Sequence, residues 1–263
     1  MKGKVYLVGA GPGDPELLTV RAVRLLGAAD VVLHDDLVAP GILKLASAAA
    51  RLENVGKRCG KKGISQEEIN FLMVAFASLG MKVVRLKSGD PLIFGRLGEE
   101  IQALRAAGIE FEIVPGVTSA FGAAASAQIP LTQRHTSHAV VLLTGHRANE
   151  GEQDDWRNFI SSGATLVIYM PGKNYSEIAA RLRSGGVTAE TPCAILSRAT
   201  TPAQQMYVTT IGTLPAAPHL PAPTLLVVGE VVRFSQNSLV QFAETPAPLA
   251  QAIGAPYEED FPA

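Results

Sequence analysis

The segment RLKSGDPLIFGRLGEE, residues 85–100, is the stretch from which the fold can be predicted. An apolar run at residues 81–86 leads into a loop in which Gly89 permits close backbone approach and Pro91 ends the pairing of a strand. Helical periodicity resumes at residue 99. Ligands of open α/β sheets bind where loops leave the carboxyl ends of strands, so this loop is the first candidate for a binding site.

The first half of the chain repeats this change from strand to helix. Apolar runs predict five strands, at residues 4–8, 30–33, 52–55, 81–86 and 111–114. Helical patterns separate them, at residues 17–26, 42–49, 65–79 and 99–107. Such alternation predicts a mainly parallel sheet, so we expect the loops at the carboxyl ends of the strands to share one edge.

The second half of the chain has a different pattern. Strands are predicted at residues 138–144, 164–170, 193–196, 206–211 and 224–232, and helices at residues 154–162 and 174–184. The last two strands follow one another without a helix, which favours antiparallel pairing between them. We therefore predict an α/β protein with an N-terminal domain at residues 1–135, an α+β domain at 136–243 and a partly disordered, proline- and acid-rich tail at 244–263.

Composition excludes several classes of protein. The net charge of −1 argues against a protein built to bind nucleic acid, and no apolar run approaches the roughly 18 residues of a membrane-spanning helix. Cys59 and Cys193 lie too far apart for a metal-ligand motif, which favours reduced thiols in the cytoplasm and no metal site. Hydrophobic residues make up 47% of the 263 residues, which indicates a large core and a subunit interface.

Three further loops carry residues suited to chemistry. The stretch GAGPG, residues 9–13, suggests a dinucleotide site, but its glycine spacing and the prolines within and after it do not match that fingerprint. Asp35 and Asp36 follow the second strand, either as functional carboxylates or as a helix cap. Four cations between residues 57 and 62 form a basic loop after the third strand, which either reaches the site or is simply solvated.

Eight segments, in order along the chain, together resemble the uroporphyrinogen-III C-methyltransferases. They are residues 8–15, Asp35 in its turn, and residues 56–58, 85–100, 115–120, 129–132, 144–146 and 229–232. One such segment alone would be weak, whereas their common order over residues 3–240 makes the resemblance specific.

The resemblance implies a tetrapyrrole-methylase fold. In this fold, two α/β domains hold S-adenosylmethionine in the cleft between them, and the protein is a homodimer. The resemblance also implies the reaction, transfer of methyl groups to C2 and C7 of uroporphyrinogen III, which gives precorrin-2 and S-adenosylhomocysteine on the route to sirohaem, cobalamin or haem d1. A cytoplasmic enzyme with no nucleic-acid or membrane partner is therefore expected.

Roles for individual residues follow from the same resemblance. Asp35 matches the family's proposed proton acceptor and Lys57 its proposed proton donor. The cofactor contacts fall on Pro12, Ser88, Gly89, Asp90, Ile93, Thr118, Ser119, Met170 and Ala199. The chain departs from the family pattern at His34, Ser88, Leu97 and Ala199. The bulk of Leu97 is the departure that we expect to affect substrate fit.

The carboxylates of the tetrapyrrole suggest a role for arginine. A guanidinium can bind a carboxylate bidentately, which favours Arg96 and Arg134 as substrate anchors. Glu99, from the segment that contains Arg96, completes the predicted substrate-binding set. For Arg96 an alternative stays open, a surface ion pair with Glu99 or Glu100 on the same helical turn.

Three other functions stay open on the sequence alone. A sister enzyme that methylates a later precorrin would share the fold and most cofactor loops. A nicotinamide-dependent dehydrogenase is supported only by GAGPG and the acid that follows it about 20 residues later. A non-catalytic tetrapyrrole carrier would bind substrate without turnover. Because the first motif begins at the start of the chain, no fused dehydrogenase or chelatase domain is expected.

Overall fold

The computed structural model describes residues 2–56, 64–145, 156–160 and 163–235. Its strands are β1 Lys4–Gly9, β2 Val31–His34, β3 Arg51–Asn54, β4 Val83–Lys87, β5 Glu110–Val114, β6 Ala139–Thr144, β7 Ala164–Tyr169, β8 Pro192–Ser197, β9 Gln205–Thr210 and β10 Thr224–Val228. Its α-helices are α1 Val20–Gly27, α2 Pro40–Leu43, α3 Gln66–Ser78, α4 Leu97–Ala106, α5 Ser119–Ser126 and α6 Tyr175–Ser184. Short 3₁₀ helices lie at Pro15–Leu17, Trp156–Asn158, Leu214–Ala216 and Glu230–Phe234.

The first sheet is parallel throughout, as the alternation of strands and helices predicted. Its strand order is β3-β2-β4-β1-β5, and every neighbouring pair is parallel. Alternating side chains of β4 face two helical layers, since Val83 packs with α3 and α4 while Val84 and Leu86 pack with α1. The carboxyl ends of all five strands therefore lie along one edge, where the candidate loops begin.

The second sheet is mixed and has the order β6-β7-β10-β8-β9. β6 and β7 are parallel, and the other neighbouring pairs are antiparallel. One face packs on α6 through Ile178 and Leu182. The other face packs on α5 through Ala120 and Ala123, whose small side chains let this helix lie close to the sheet. Because α5 directly follows the first sheet in sequence, it connects the two halves of the molecule.

Several predicted elements differ from the structure. The helix predicted at residues 42–49 is only the four-residue α2, and the last strand ends at Val228 because Gly229, with a φ of 140°, begins a 3₁₀ helix. The predicted pairing of the last two strands with each other is wrong, since both pair with β8. β8 is buried along its whole length and needs a partner on each side, whereas β9 is partly exposed and suits an edge.

Other predictions fall partly or wholly outside the described residues. Of the helix predicted at residues 154–162, the described part contains the 3₁₀ turn Trp156–Asn158. The tail at residues 244–263 and the basic loop at residues 57–63 lie outside the described ranges. The domain boundary after residue 135 stays a prediction.

Local details of the core agree with the sequence. Ser65 and Glu68 form the expected capping box at the start of α3.

Cys193 lies in the core of the second sheet, where burial raises the pKa of its thiol to about 12. Cys193 is therefore an unreactive packing residue. No helix in the described part of the chain is long and apolar enough to cross a membrane.

Candidate functional site

A cavity of about 230 Å³ lies where the carboxyl edge of the first sheet meets the second sheet. The loops after β1, β2 and β4 and the start of α5 form one side, and the ends of β7, β8 and β10 form the other. The structure brings together the predicted proton acceptor and all nine predicted cofactor residues, which are Asp35, Pro12, Ser88, Gly89, Asp90, Ile93, Thr118, Ser119, Met170 and Ala199.

Three loops of the cavity are joined through their glycine backbones. Gly11 and Gly89 exchange two hydrogen bonds, with N to O distances of 3.1 and 2.8 Å. Gly89 has a φ of 68°, which favours glycine, and a Cβ there would lie 3.2 Å from Ser119 Oγ. A Cβ on Gly116 would lie only 2.5 Å from the Gly89 carbonyl oxygen. The glycines therefore let the three loops approach closely, and Gly89 presents bare backbone to the cavity.

The Asp90 carboxylate holds two of these loops together. Its Oδ1 accepts a hydrogen bond from the Leu92 amide at 2.8 Å, and its Oδ2 accepts one from the Gly116 amide at 3.0 Å. Hydrogen bonds from backbone amides to a charged acceptor are among the stronger ones in proteins. Asp90, predicted as a cofactor residue, thus also fixes the shape of the cavity.

Tyr169, at the end of β7, is a cavity residue that the sequence analysis did not single out. Its hydroxyl lies 2.5 Å from Thr118 Oγ1 and accepts a hydrogen bond from the Ala120 amide at 3.1 Å. Burial raises the pKa of the phenol, so it stays protonated near neutral pH. The only polar side chains in the ATLVIY run of β7 are those of Thr165 and Tyr169, and such hydroxyl groups need partners when buried. Tyr169 ties the second sheet to the start of α5.

Tyr169→Phe tests this connection. The change leaves the buried Ala120 amide without its acceptor, so we expect the free energy of unfolding to fall by about 1–3 kcal/mol. Denaturant unfolding measures the loss, and Tyr207→Phe, at a more exposed position on β9, is the matched control with an expected change within about 0.5 kcal/mol. Equal stability of Tyr169→Phe and wild type would show that the hydroxyl contacts do not support the fold.

A chain of buried charges below the cavity was also missed. Arg85 donates from Nη2 to Asp35 Oδ1 at 2.5 Å and from Nε to Glu100 Oε1 at 3.0 Å. Lys87 donates from Nζ to the same Glu100 oxygen at 2.9 Å. The residues Arg85, Lys87 and Glu100 are only 2%, 3% and 0% exposed. The signal in the sequence was a pair of cations two residues apart in a central strand that helices cover on both faces.

The environment shifts the pKa values of the two cations in opposite directions. Although burial acts to lower it, the carboxylates of Asp35 and Glu100 raise the pKa of Arg85. Burial, with the nearby charge of Arg85, lowers the pKa of Lys87 despite its contact with Glu100. Arg85 is thus a permanent cation, whereas Lys87 is the cation of this group that titrates more readily.

The predicted substrate residues lie away from the cavity lining. Arg96 donates from Nε and Nη2 to the two carboxylate oxygens of Glu99 at 2.8 and 2.7 Å, and both side chains are about half exposed. The alternative pairing of Arg96 with Glu100 is wrong, because Glu100 is fully buried against Arg85 and Lys87. Arg134 is exposed in the turn at residues 133–137. The substrate roles of Arg96, Glu99 and Arg134 stay predictions.

Two departures from the family pattern acquire a structural explanation. His34 is 8% exposed, and its Nδ1 lies 3.0 Å from the main-chain carbonyl of Asp35, so it supports the loop that carries the acid. Leu97 is 6% exposed and packs into the core beneath the first sheet. The extra bulk of Leu97 is therefore taken up by the core. Lys57, the predicted proton donor, lies outside the described residues.

The glycine-rich turn after β1 does not open a helix. Residues 15–17 form a 3₁₀ turn, and α1 begins only at Val20 after the Thr19 cap. A dinucleotide site requires the helix to start directly at the glycine turn, with its amide groups facing the pyrophosphate. The geometry therefore does not support the dehydrogenase alternative.

Comparisons with known proteins agree on one family. The model of the Tetrapyrrole (Corrin/Porphyrin) Methylases matches residues 4–215. The siroheme synthase of Azotobacter vinelandii is 50% identical over 234 residues, which are 88% of this chain and 50% of that protein. The chain thus spans about half the length of the curated relatives that it matches.

Solved structures give the same result. A uroporphyrin-III C-methyl transferase from Thermus thermophilus, complexed with S-adenyl homocysteine, is 40% identical with a TM-score of 0.78, covering 88% of this chain and 99% of that one. A cobalt precorrin-4 methyltransferase is 29% identical with a TM-score of 0.76, covering 87% and 95%. These matches confirm the predicted fold class and the resemblance carried by the sequence motifs. The chain belongs to the tetrapyrrole methylase family.

Proposed function

We propose that the protein methylates C2 and C7 of uroporphyrinogen III with S-adenosylmethionine, giving precorrin-2 and S-adenosylhomocysteine. The observation that carries this proposal is the single cavity that gathers Asp35 and all nine predicted cofactor residues. The Thermus relative complexed with S-adenyl homocysteine supports the choice of cofactor. The name of the Azotobacter relative favours sirohaem as an end product, while cobalamin and haem d1 stay open.

The lining of the cavity fits a nucleoside that carries a sulfonium group. Ile93, Leu196 and Leu225 provide apolar walls against which a flat base can pack. Gly89 has no side chain and so lets a ligand approach the backbone closely, although its amide and carbonyl groups already bond to Gly11. The Ser119 hydroxyl adds a hydrogen-bonding group at the start of α5. We propose that backbone and apolar groups hold most of the cofactor.

The reaction requires alignment more than a strong nucleophile. S-adenosylmethionine supplies an activated methyl group, which the electron-rich pyrrole carbon takes as the carbon–sulfur bond breaks and its electron pair stays on sulfur. The tetrapyrrole then carries a positive charge until a carbon of the macrocycle loses a proton. The protein must therefore align the two molecules, exclude water and place a carboxylate near the developing charge.

Asp35 is suited to that last task. Its carboxylate lines the cavity, its side chain is 30% exposed, and Arg85 fixes its position from below. We propose that Asp35 either accepts the proton or stabilises the positive charge before the proton is lost. Lys57 is the proposed proton donor, with binding of a substrate carboxylate as its alternative role.

We propose that Arg96, Glu99 and Arg134 bind the substrate. Arg96→Ala tests the part of this proposal that concerns Arg96. A tetrapyrrole is much larger than the cavity, so its outer carboxylates would reach the exposed cations around it. We expect affinity for the tetrapyrrole to fall roughly 30-fold or more, with only partial recovery in Arg96→Lys, which lacks the bidentate guanidinium. Calorimetric titration with each ligand measures this loss.

Two further measurements on Arg96→Ala serve as controls, its free energy of unfolding and its affinity for S-adenosylhomocysteine. Because the pair of Arg96 with Glu99 is exposed, its loss should change the free energy of unfolding by less than about 1 kcal/mol and leave affinity for S-adenosylhomocysteine unchanged. Equal tetrapyrrole affinity in wild type, Arg96→Ala and Arg96→Lys would remove Arg96 from the substrate site.

The position of the transferred methyl groups tests the proposed function. Incubation of the wild type with uroporphyrinogen III and S-adenosylmethionine labelled with ¹³C in the methyl group should place label at C2 and C7, as read by NMR of the product. Label at other carbons, or turnover only with a later precorrin, would contradict the proposal.

Methylation of a later precorrin is the second candidate. It is favoured by the likeness to the cobalt precorrin-4 methyltransferase, which has the same fold at 29% identity. The higher identity to the Thermus enzyme favours uroporphyrinogen III over that candidate.

A tetrapyrrole carrier would bind the substrate and give no labelled product. A homodimer in the cytoplasm stays part of the proposal, with the dimer testable by sedimentation.

A further inference from the structure

Glu100 and Lys87 are buried charged residues to which the proposed reaction gives no role. Glu100 Oε1 accepts hydrogen bonds from Arg85 Nε at 3.0 Å, Lys87 Nζ at 2.9 Å and Gln66 Nε2 at 3.4 Å. Its Oε2 is buried and finds no partner among the residues that the structure describes. Buried ion pairs are often no more stabilising than apolar residues of the same size, so stability alone does not explain this cluster.

The contacts connect this cluster to the candidate active site. Arg85 is shared between two carboxylates, Glu100 inside the protein and Asp35 at the cavity. Its Nη1 also lies 3.3 Å from the carbonyl oxygens of Leu33 and Leu86, which orient the guanidinium. Glu100 holds the Nε side of Arg85, which leaves Nη2 directed at Asp35, and the charge of Lys87 balances that of Glu100 in the buried space.

We propose that Glu100 and Lys87 are positioning residues of the methyl transfer and hold the Asp35 carboxylate at the cavity through Arg85. The inference rests on the proposed function for the identity of the reaction. The contacts on which it is built belong to the protein itself. Lys87 also lines the cavity, so the cluster reaches from the core to the ligand-binding space.

The charge of Lys87 gives this role a pH dependence. Lys87 faces Arg85 on its own strand, Glu100 from α4 and Asp35 from the loop after β2, while Gln66 from α3 contacts Glu100 as an uncharged group. Burial and Arg85 lower the pKa of Lys87, and Glu100 and Asp35 act in the opposite direction. Loss of the negative charge of Glu100 should lower this pKa further, so Lys87 would lose its proton, and the enzyme its activity, at lower pH.

Glu100→Gln removes the charge while preserving the shape. The amide oxygen can keep the contacts of Oε1, and the amide nitrogen replaces Oε2, which has no partner in the described part of the chain. We expect kcat to fall about 10- to 100-fold and the basic limb of its pH profile to move to lower pH. The KM for S-adenosylmethionine should stay within about twofold of wild type. Glu110→Gln, which removes an exposed partner of Lys4, is the control and should keep wild-type kinetics.

A double variant separates positioning from packing. Glu100→Gln combined with Lys87→Met leaves no unbalanced charge at this position, so we expect the melting temperature to recover toward that of wild type. The value of kcat should stay low, because Arg85 still lacks its charged internal partner. Wild-type kcat in folded Glu100→Gln, or joint recovery of kcat and melting temperature in the double variant, would overturn the inference.

A titration that does not depend on turnover distinguishes this inference from the proposed function. In protein carrying ¹³C-labelled lysine, the Lys87 signal, assigned by its absence in Lys87→Met, should titrate at lower pH in Glu100→Gln than in wild type. An unmoved midpoint would overturn the inference whatever the substrate. Absence of methyl transfer by the wild type to uroporphyrinogen III would instead count against the proposed function.

Discussion

Asp35→Asn is expected to slow methyl transfer to uroporphyrinogen III by about a hundredfold or more, the scale of a lost general base or charge-stabilising group. The asparagine oxygen can still accept the hydrogen bond from Arg85, so the fold and the cavity should persist. Affinity for S-adenosylhomocysteine should therefore stay close to that of wild type. Single-turnover kinetics and calorimetric titration of the same preparation measure the two quantities.

The adjacent acid provides a matched control for this change. Asp36 follows Asp35 directly, but its carboxylate accepts a hydrogen bond from Asn54 Nδ2 at 3.1 Å and is not among the residues that line the cavity. Asp36→Asn should therefore retain most of the activity. A wild-type rate in Asp35→Asn would exclude Asp35 from the chemistry, and an equal loss in both variants would indicate a general effect of charge on this loop.

Gly89→Val is expected to have the second large effect, a strong loss of affinity for S-adenosylhomocysteine. Gly89 has a φ of 68°, a conformation that costs a residue with a side chain roughly 1–2 kcal/mol and is worse for a β-branched one. Its Cβ would also lie 3.2 Å from Ser119 Oγ, which lines the same cavity. We expect the strained loop to shift and the valine methyl groups to obstruct the cavity, so the dissociation constant should rise at least about tenfold.

Gly98→Val is the matched control for the glycine substitution. Gly98 lies in the first turn of α4, and in the described part of the chain a Cβ built there meets no atom within 4 Å beyond its chain neighbours and the backbone of its own helix. Valine is also a better helix former than glycine, so this variant should fold and bind as wild type does. If folded Gly89→Val binds S-adenosylhomocysteine with unchanged affinity, the cofactor is held elsewhere.

The gathering of the predicted cofactor residues at one cavity was largely predictable because topology constrains their positions strongly. Strands that alternate with helices form a parallel sheet, and a parallel sheet places every loop that follows a strand at one edge. Ser88, Gly89 and Asp90 follow β4, and Asp35 follows β2, so the sequence already placed them together. Met170 and Ala199 came from the resemblance alone, and the structure brings both to the same cavity.

The buried charge network was not predictable from sequence patterns. Arg85 and Lys87 lie on one face of β4, but their common partner Glu100 depends on how α4 packs over that face. Glu99 and Glu100 are adjacent in α4, yet the Glu99 side chain is about half exposed and the Glu100 side chain is fully buried. A small change in helix rotation decides which acid is exposed, and local periodicity does not fix it.

The order of the second sheet shows the same limit. Sequence neighbours often pair, and this preference led to the wrong expectation for β9 and β10. The structure instead places β8 between them, because β8 is buried along its length and requires two partners. Which strand becomes central depends on contacts across the sheet, and those contacts join residues far apart in sequence.

The mass of the reaction product tests the central claim most directly. Wild-type protein incubated with uroporphyrinogen III and excess S-adenosylmethionine under reducing conditions should yield a tetrapyrrole that carries two additional methyl groups, and Gly89→Val should yield little of it. A wild-type product with no added methyl group, in a preparation that remains folded and binds both ligands, would contradict the account.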